Sequence, residues 1–214
     1  MGIIQISNVS KKYGKQEILS NINLNINKGE MIAILGESGK GKTTLLNIIG
    51  LITKKDKGDI YLFDKKNPSI NSKSSMRLRR EKIGYLFQNY GLIDDETVRW
   101  NLNLALEYKK LSKKQRAVKI DNILKEFNLS YLKEKMVYEL SGGEQQRIAL
   151  IRLILQDSEL ILADEPTASL DSENEQIILN YLQNLNSKGK TIIVVTHNKE
   201  ILSYFSRIIN LKDF

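Results

Sequence analysis

Cysteine is absent from the 214 residues, so the chain builds no disulfide framework, no thiolate metal site and no cysteine nucleophile. Proline occurs only at Pro68 and Pro166, and no low-complexity linker or internal repeat divides the sequence. Long apolar runs are missing too: stretches such as 192–195 fall far short of the roughly 20 residues that cross a bilayer as a helix. Residues 1–9 lack the charged segment and apolar core of a secretory leader, and Ile6 stands where a myristoylation site requires Ser or Thr. The expectation is a cytoplasmic protein, with any membrane-spanning part supplied by another chain. The formal charge is +8, but basic residues are interspersed with acidic ones, as in Lys54-Lys55-Asp56-Lys57 and Lys133-Glu134-Lys135. The densest stretches, 73–82 and 109–119, read as exposed helix faces without interleaved aromatics for base stacking, so no nucleic-acid partner is expected. What remains, 41% hydrophobic and 27% charged residues, is the composition of a folded globular protein.

Periodicity organises that composition. Ile22, Leu24 and Ile26 alternate with Asn21, Asn23, Asn25 and Asn27, which predicts a strand with one buried face in a small N-terminal sheet. The run 31–35 is apolar throughout, as expected of a strand covered on both faces in a parallel sheet. Further strands are expected over 59–63, 83–87, 160–163, 191–196 and 207–211, and a helix over 42–51. The stretch 94–155 reads as mostly helical, with an apolar stripe of Ala117, Ile120, Leu124 and Phe127 and a capping box of Ser112 with Gln115. The pattern is a βα core interrupted by a helical insertion.

Directly after the buried strand comes Gly36-Glu37-Ser38-Gly39-Lys40-Gly41-Lys42-Thr43-Thr44, the Walker A pattern in its strand–loop–helix context. Glycines let the backbone curl until successive N–H groups point at an anion, and the following helix adds its positive end. Lys42 can then reach the β- and γ-phosphates of a nucleoside triphosphate while the Thr43 hydroxyl serves Mg²⁺. All nine residues are expected around the nucleotide.

A second signal is Leu160-Ile161-Leu162-Ala163-Asp164-Glu165, where two carboxylates emerge at the C-terminal end of a buried strand, the end at which open α/β sheets bind ligands. Asp164 is expected to hold Mg²⁺ and Glu165 to polarise an attacking water. The third is Leu140-Ser141-Gly142-Gly143-Glu144-Gln145-Gln146. Ser141 with Glu144 makes a capping box, whereas two glycines in a first helical turn each cost about 1 kcal/mol and make sense where backbone must closely approach an anion.

That third segment resembles the signature motif of ATP-binding cassette (ABC) ATPases, and the resemblance extends along essentially the whole chain in the correct motif order. It implies an α/β fold, a P-loop NTPase core with a mixed, largely parallel sheet, an N-terminal antiparallel β subdomain and an inserted α-helical subdomain. A single domain spans 1–214, with 1–91 and 156–214 forming the RecA-like core and β subdomain and 92–155 the helical subdomain. By the same resemblance Gln88 is the glutamine that senses Mg²⁺ and the attacking water, and His197, the only histidine, contacts the γ-phosphate. Tyr13 is similar to the aromatic that stacks on adenine, and Ser169-Leu170-Asp171 to the D-loop. The family's cofactors are ATP and Mg²⁺, the latter held here by Thr43, Gln88 and Asp164. Its catalytic state is a head-to-tail homodimer formed on ATP binding, in which Ser141, Gly142, Gly143, Glu144 and Asp171 meet the nucleotide of the other copy.

A narrower likeness is to exporters of macrolides, lipoproteins and antimicrobial peptides. Tyr85-Leu86-Phe87-Gln88-Asn89-Tyr90 with Leu92-Ile93-Asp94-Asp95-Glu96-Thr97-Val98 is most similar to bacteriocin export ATPases of the lactococcin 972 group. Lys40, in place of a small residue, and Ala168, in place of Gly, depart from that pattern. The implied function is an ATPase subunit, peripheral on the inner face of the cell membrane, that drives a separate permease, with Tyr90, Leu92, Ile93 and Trp100 as candidates to meet it. A cell-division or lipoprotein-release ATPase would share the same catalytic residues, and a nucleic-acid-associated ABC ATPase is a more distant alternative.

Overall fold

The computed structural model describes residues 2–37, 39–168 and 170–211. Two long strands, β1 (Gly2–Tyr13) and β2 (Gln16–Asn27), pair antiparallel around Gly14, whose φ is 59°. Along β2 the alternation holds: Ile22, Leu24 and Ile26 are buried and the asparagines face out. The chain then leaves for β3 (Met31–Leu35) and helix α1 (Lys42–Ile49) and returns as β4 (Lys57–Leu62) and the short β5 (Lys65–Lys66). The result is a four-stranded antiparallel sheet in the order β2-β1-β4-β5.

After helix α2 (Lys73–Glu81), strand β6 (Ile83–Leu86) begins the far edge of a second sheet. Three helices follow, α3 (Val98–Leu106), α4 (Lys113–Glu126) and α5 (Gly142–Gln156), before β7 (Leu160–Asp164), α6 (Ser172–Ser187), β8 (Thr191–Thr196) and β9 (Arg207–Asn210). The order is β6-β7-β8-β3-β9 with every pairing parallel. The mixed character expected of the strands thus resolves into two sheets, one of each kind.

Continuous burial of β3, β7 and β8 has a direct cause, since their alternate residues enter two different cores. Ile32, Ile34, Leu160, Leu162, Ile193 and Val195 pack with α1 and the antiparallel sheet. Met31, Ala33, Ile161, Ala163, Ile192 and Val194 pack with α3 through α6. Neither face of these three strands is left to water, which suits strands of this composition, whereas edge strand β9 leaves Ile208 exposed.

Boundaries shift by a residue or two from the sequence pattern. The helix expected over 42–51 ends at Ile49, where the Gly50 N–H donates to the Leu46 carbonyl and Leu51 turns left-handed at φ 58°. The stretch 94–155 divides into α3, α4 and α5, with 3₁₀ turns at Ser130–Leu132 and Val137–Glu139. Both expected capping boxes form, Ser112 with Gln115 and Ser141 with Glu144. Ala117 is exposed, however, and the buried stripe of α4 is Ile120, Ile123 and Leu124, continued by Phe127. The single methyl of Ala117 has little apolar area to bury, and Ile123 supplies the apolar group on that face instead.

Candidate functional site

The loop after β3 and the loops after β6, β7 and β8 meet at the C-terminal ends of parallel strands, around a cavity of about 590 Å³. The β3 loop curls because Gly39 and Gly41 adopt φ of 76° and 88°. Gly41 is also sterically fixed: a Cβ there would lie 2.8 Å from Leu19 Cδ2 and 2.9 Å from the Ile18 carbonyl oxygen. Helix α1 starts from this glycine with no side-chain cap and no acidic residue in its first turn, leaving its N-terminal end suited to an anion.

Lys42 is buried, and its Nζ donates to the carbonyls of Gly36 at 2.7 Å and Glu37 at 3.0 Å. The same Nζ lies 3.6 Å from Glu165 Oε1, whose other neighbour is His197 Nδ1 at 2.9 Å. Of the two contacts, the one with Lys42 is enclosed, whereas the His197 side chain is 62% exposed. Glu165 follows β7 with φ 45° while its N–H donates to the Val195 carbonyl at 3.0 Å. A left-handed glutamate stores about 1–3 kcal/mol of strain, and here it aims the carboxylate back over the cavity.

One residue earlier, Asp164 Oδ1 accepts the Thr43 hydroxyl at 3.1 Å across 121 positions of sequence. Burial pushes the Asp164 carboxyl above the usual carboxylate range; the charge of Glu165 adds to this, while the Thr43 hydrogen bond and Lys42 oppose it. Gln88, just after β6, and Thr44, in the first turn of α1, line the same cavity. Tyr13 closes one side of it, 52% exposed, with Lys11 Nζ 5.1 Å from its ring centre.

No group of three His, Cys, Asp or Glu side chains that could cage a metal occurs among the described residues. The Thr43 hydroxyl, the Asp164 carboxylate and the Gln88 amide form instead a sparse oxygen set. It fits Mg²⁺, which keeps waters and takes further oxygens from phosphates.

Most of the residues expected around a nucleotide are therefore together: Tyr13, Glu37, Gly39, Gly41, Lys42, Thr43, Thr44, Gln88, Glu165 and His197 line one cavity, with Asp164 behind Thr43. Gly36 enters through its carbonyl rather than the cavity wall. Lys40 lines a neighbouring cavity with Glu17 and Ser20 rather than this one. Ser38 and Ser169 lie outside the described residues.

Ser141, Gly142, Gly143 and Glu144 do not line this cavity; they form the start of α5. There the Ser141 N–H and hydroxyl both donate to Glu144 Oε2, at 2.9 and 2.8 Å, while the Tyr131 hydroxyl donates to Oε1 at 2.8 Å. Asp171 caps α6 by accepting from the Asn174 N–H at 2.8 Å and from its side-chain amide. That amide would be 3.3 Å from a Cβ on Gly143, so Asp171 and the α5 turn belong to one surface.

Sequence reasoning passed over several residues that build the site. The Tyr85 hydroxyl donates to Asn47 Oδ1 at 2.8 Å, joining β6 to α1, and Gln146 Nε2 donates to the Pro166 carbonyl at 2.5 Å, joining α5 to the turn after Glu165. Arg152 donates to the carbonyls of Gly91 and Tyr90, just beyond Gln88. Gln146, Tyr85 and Tyr90 lay inside recognised motifs, but their partners are 20 to 62 positions away, so the contacts themselves had no local signal.

Comparison with known proteins agrees with this arrangement. A family model described as ABC transporter matches residues 19–168. The macrolide export ATP-binding/permease protein MacB of Campylobacter jejuni is 41% identical over 212 residues, covering 99% of this chain and 33% of that protein. The chain thus spans about a third of the length of the MacB relatives it matches. The bacitracin export ATP-binding protein BceA of Halalkalibacterium halodurans is 38% identical over 218 residues, covering 100% of this chain and 86% of that protein. Among solved structures, the ATP-binding cassette MJ0796, as a dimer in a post-hydrolysis state bound to ADP and Pi, superposes with a TM-score of 0.90. It shares 36% identity, over 98% of this chain and 94% of that one.

Proposed function

This chain belongs to the ABC transporter family, and we propose that it binds and hydrolyses ATP with Mg²⁺ to drive a separate membrane permease. The observation that carries this reading is the convergence of Lys42, Thr43, Gln88, Glu165 and His197 on one cavity at the C-terminal ends of the parallel strands. Lys42 leaves the Gly36 and Glu37 carbonyls for the phosphates, and Tyr13 stacks on the base. Thr43 and Asp164, with Gln88, would hold Mg²⁺, which would supply neutralisation of phosphate charge. The Glu165 carboxylate takes a proton from water as its oxygen bonds to the γ-phosphorus, and the bond to the β-phosphate oxygen breaks to release ADP and phosphate. His197, hydrogen-bonded to Glu165, orients that carboxylate and meets the γ-phosphate.

The α5 turn, remote from this cavity, supports a homodimer formed on ATP binding, in which Ser141, Gly142, Gly143 and Glu144, together with Asp171, reach the nucleotide of a second copy. The solved relative MJ0796 is itself a dimer. Residues 92–155 form the lobe that carries this turn, and 1–91 with 156–214 the nucleotide-binding core.

For the permease, support comes from a groove of about 470 Å³ between α2, α3 and α5, where Met76, Leu104 and Tyr108 are exposed beside Arg79 and Arg80. Of the four residues expected to meet a partner, Ile93 and Trp100 are exposed, whereas Tyr90 and Leu92 pack against the core. No helix among the described residues is long and apolar enough to cross a membrane; a place on the inner membrane face, held through the permease, belongs to the same proposal. The cargo is a bacteriocin, antimicrobial peptide or antibiotic, a reading supported by the names of the bacitracin and macrolide export relatives and by the likeness of 85–98 to the lactococcin 972 group. Purified protein is expected to release phosphate from ATP in Mg²⁺ and to stop in EDTA. Absence of turnover, alone and with a co-expressed permease in lipid, would reject the proposal.

A further inference from the structure

Arg152 carries a charge for which the fold supplies no acid. It lies on α5, and no carboxylate stands within ion-pair distance of it among the described residues; burial alone holds its guanidinium below the ordinary arginine value. The side chain is half-buried at the groove between α2, α3 and α5, where hydrogen bonds compensate the partial loss of water. Here Nη1 donates to the Gly91 carbonyl at 2.6 Å and Nη2 to the Tyr90 carbonyl at 3.2 Å, a two-pronged contact that uses the planar fork of arginine.

The turn so held is unusual. Tyr90 and Gly91 are consecutive left-handed residues, with φ of 61° and 62°; glycine accepts this readily, a tyrosine rarely. It is gripped at other points as well. The Tyr90 hydroxyl lies over the α-carbon of Gly142, close enough that a Cβ there would be 2.9 Å from it. Gly91 sits against Phe87, whose ring stacks on Tyr85 at 4.0 Å, and Tyr85 is tied to α1 through Asn47. Gln88 lies between the two anchors. Its position in the cavity follows from Phe87 on one side, fastened toward α1, and Tyr90–Gly91 on the other, fastened to α5.

We propose that Arg152 is a positioning residue for ATP hydrolysis: by forking onto the Tyr90 and Gly91 carbonyls it fixes Gln88 in the nucleotide cavity and in register with the first turn of α5. The inference rests on the reading that this cavity hydrolyses ATP. Lysine keeps the charge but presents a single ammonium without the fixed fork, so Arg152→Lys separates geometry from charge. A misplacement of reacting groups by about 1 Å lowers turnover about 100-fold.

The test is steady-state ATP hydrolysis by the full chain for wild type, Arg152→Lys, Gln88→Ala and the double variant, with ADP affinity and melting temperature measured alongside. Arg152→Lys is expected to lower kcat by roughly 10- to 100-fold with KM for ATP, ADP affinity and melting temperature unchanged. In the Gln88→Ala background the same change is expected to have little further effect, because Arg152 acts through Gln88. Arg152→Met, which removes the half-buried charge and the fork at similar volume, is measured in its place should the lysine variant fail to fold, with the same loss of kcat expected. Turnover within twofold of wild type, or losses that multiply with Gln88→Ala, overturns the inference alone. A wild-type protein without turnover removes the functional reading first, and the inference with it.

Discussion

The two helix N-termini that the proposed mechanism assigns to phosphate are finished in opposite ways. Helix α1 begins at left-handed Gly41 with no side-chain cap and no acid in its first turn. Helix α5 begins at Ser141 with a complete capping box, and Glu144 already accepts from the Ser141 N–H, the Ser141 hydroxyl and Tyr131. Capping by Ser contributes about 1 kcal/mol to a helix, so the first turn of α5 is satisfied from within while that of α1 has no such cap. The first end sits in a cavity with a lysine, a threonine, a glutamine and two carboxylates around it; the second stands on a surface with Asp171 and Asn174. In the proposed dimer the first is a nearly complete site and the second is half of one.

The largest expected effect disables chemistry without touching either helix end. Glu165→Gln keeps the size of the side chain but removes the proton acceptor and the charge facing Lys42. Turnover is expected to fall about 10²–10⁴-fold. ATP binding should survive, and light scattering should then find a dimer accumulating in ATP. A monomer under those conditions would separate the α5 turn from the nucleotide and undo the comparison.

Next in size is a pairwise test of the two ends. Lys42→Ala empties the α1 site of its cation. Gly143→Asp places a carboxylate on the α5 turn, where it is expected to lower turnover roughly 10²–10³-fold while ADP affinity of the monomer stays at the wild-type value. Each variant alone should be nearly inactive. Mixed together they form heterodimers in which one of the two composite sites is intact, so turnover should reappear. Activity that stays at the sum of the separate variants would place both helix ends in the service of one chain.

What the sequence revealed, and what it hid, follows the same division. Residues 36–44 and 160–165 were legible because each group of functional atoms is contiguous and the adjoining strands are continuously apolar. The meeting of Thr43 with Asp164 across 121 positions was legible because each motif was separately expected to serve Mg²⁺. The left-handed backbone of Glu165 had no local signal at all, because glutamate gives no conformational hint of the kind glycine gives. At α5 the glycines were attributed to an approaching anion, and the structure adds nearer neighbours, the Tyr90 hydroxyl over Gly142 and the Asn174 amide beside Gly143. The hold of Arg152 on Tyr90 and Gly91 spans about sixty positions and joins a charge to two carbonyls, a pairing that composition and periodicity do not register.

The smallest expected effect concerns stability and sharpens the picture of α1 as an end awaiting its ligand. Asp164 is raised by burial, aided by Glu165 and opposed by Thr43 and Lys42, so the folded protein binds its proton more tightly than the unfolded chain. Its contribution to stability is therefore full below the ordinary carboxylate pKa of 3.8 and is lost as pH rises through the folded value. Above the folded value the buried carboxyl destabilises the nucleotide-free protein. Asp164→Asn removes that penalty and leaves an oxygen to accept from Thr43, so the variant should melt a few degrees above wild type at pH 7, where each kcal/mol moves a chain of this length by about 2–4 °C. The advantage should shrink toward acid pH. Mg²⁺ with ADP, compared with ADP in EDTA, should raise the wild-type melting temperature more than that of the variant, because only the carboxylate compensates the cation. Equal melting curves across pH would show that Asp164 is already neutralised within the fold, and that the α1 site is more complete without nucleotide than its uncapped helix end implies.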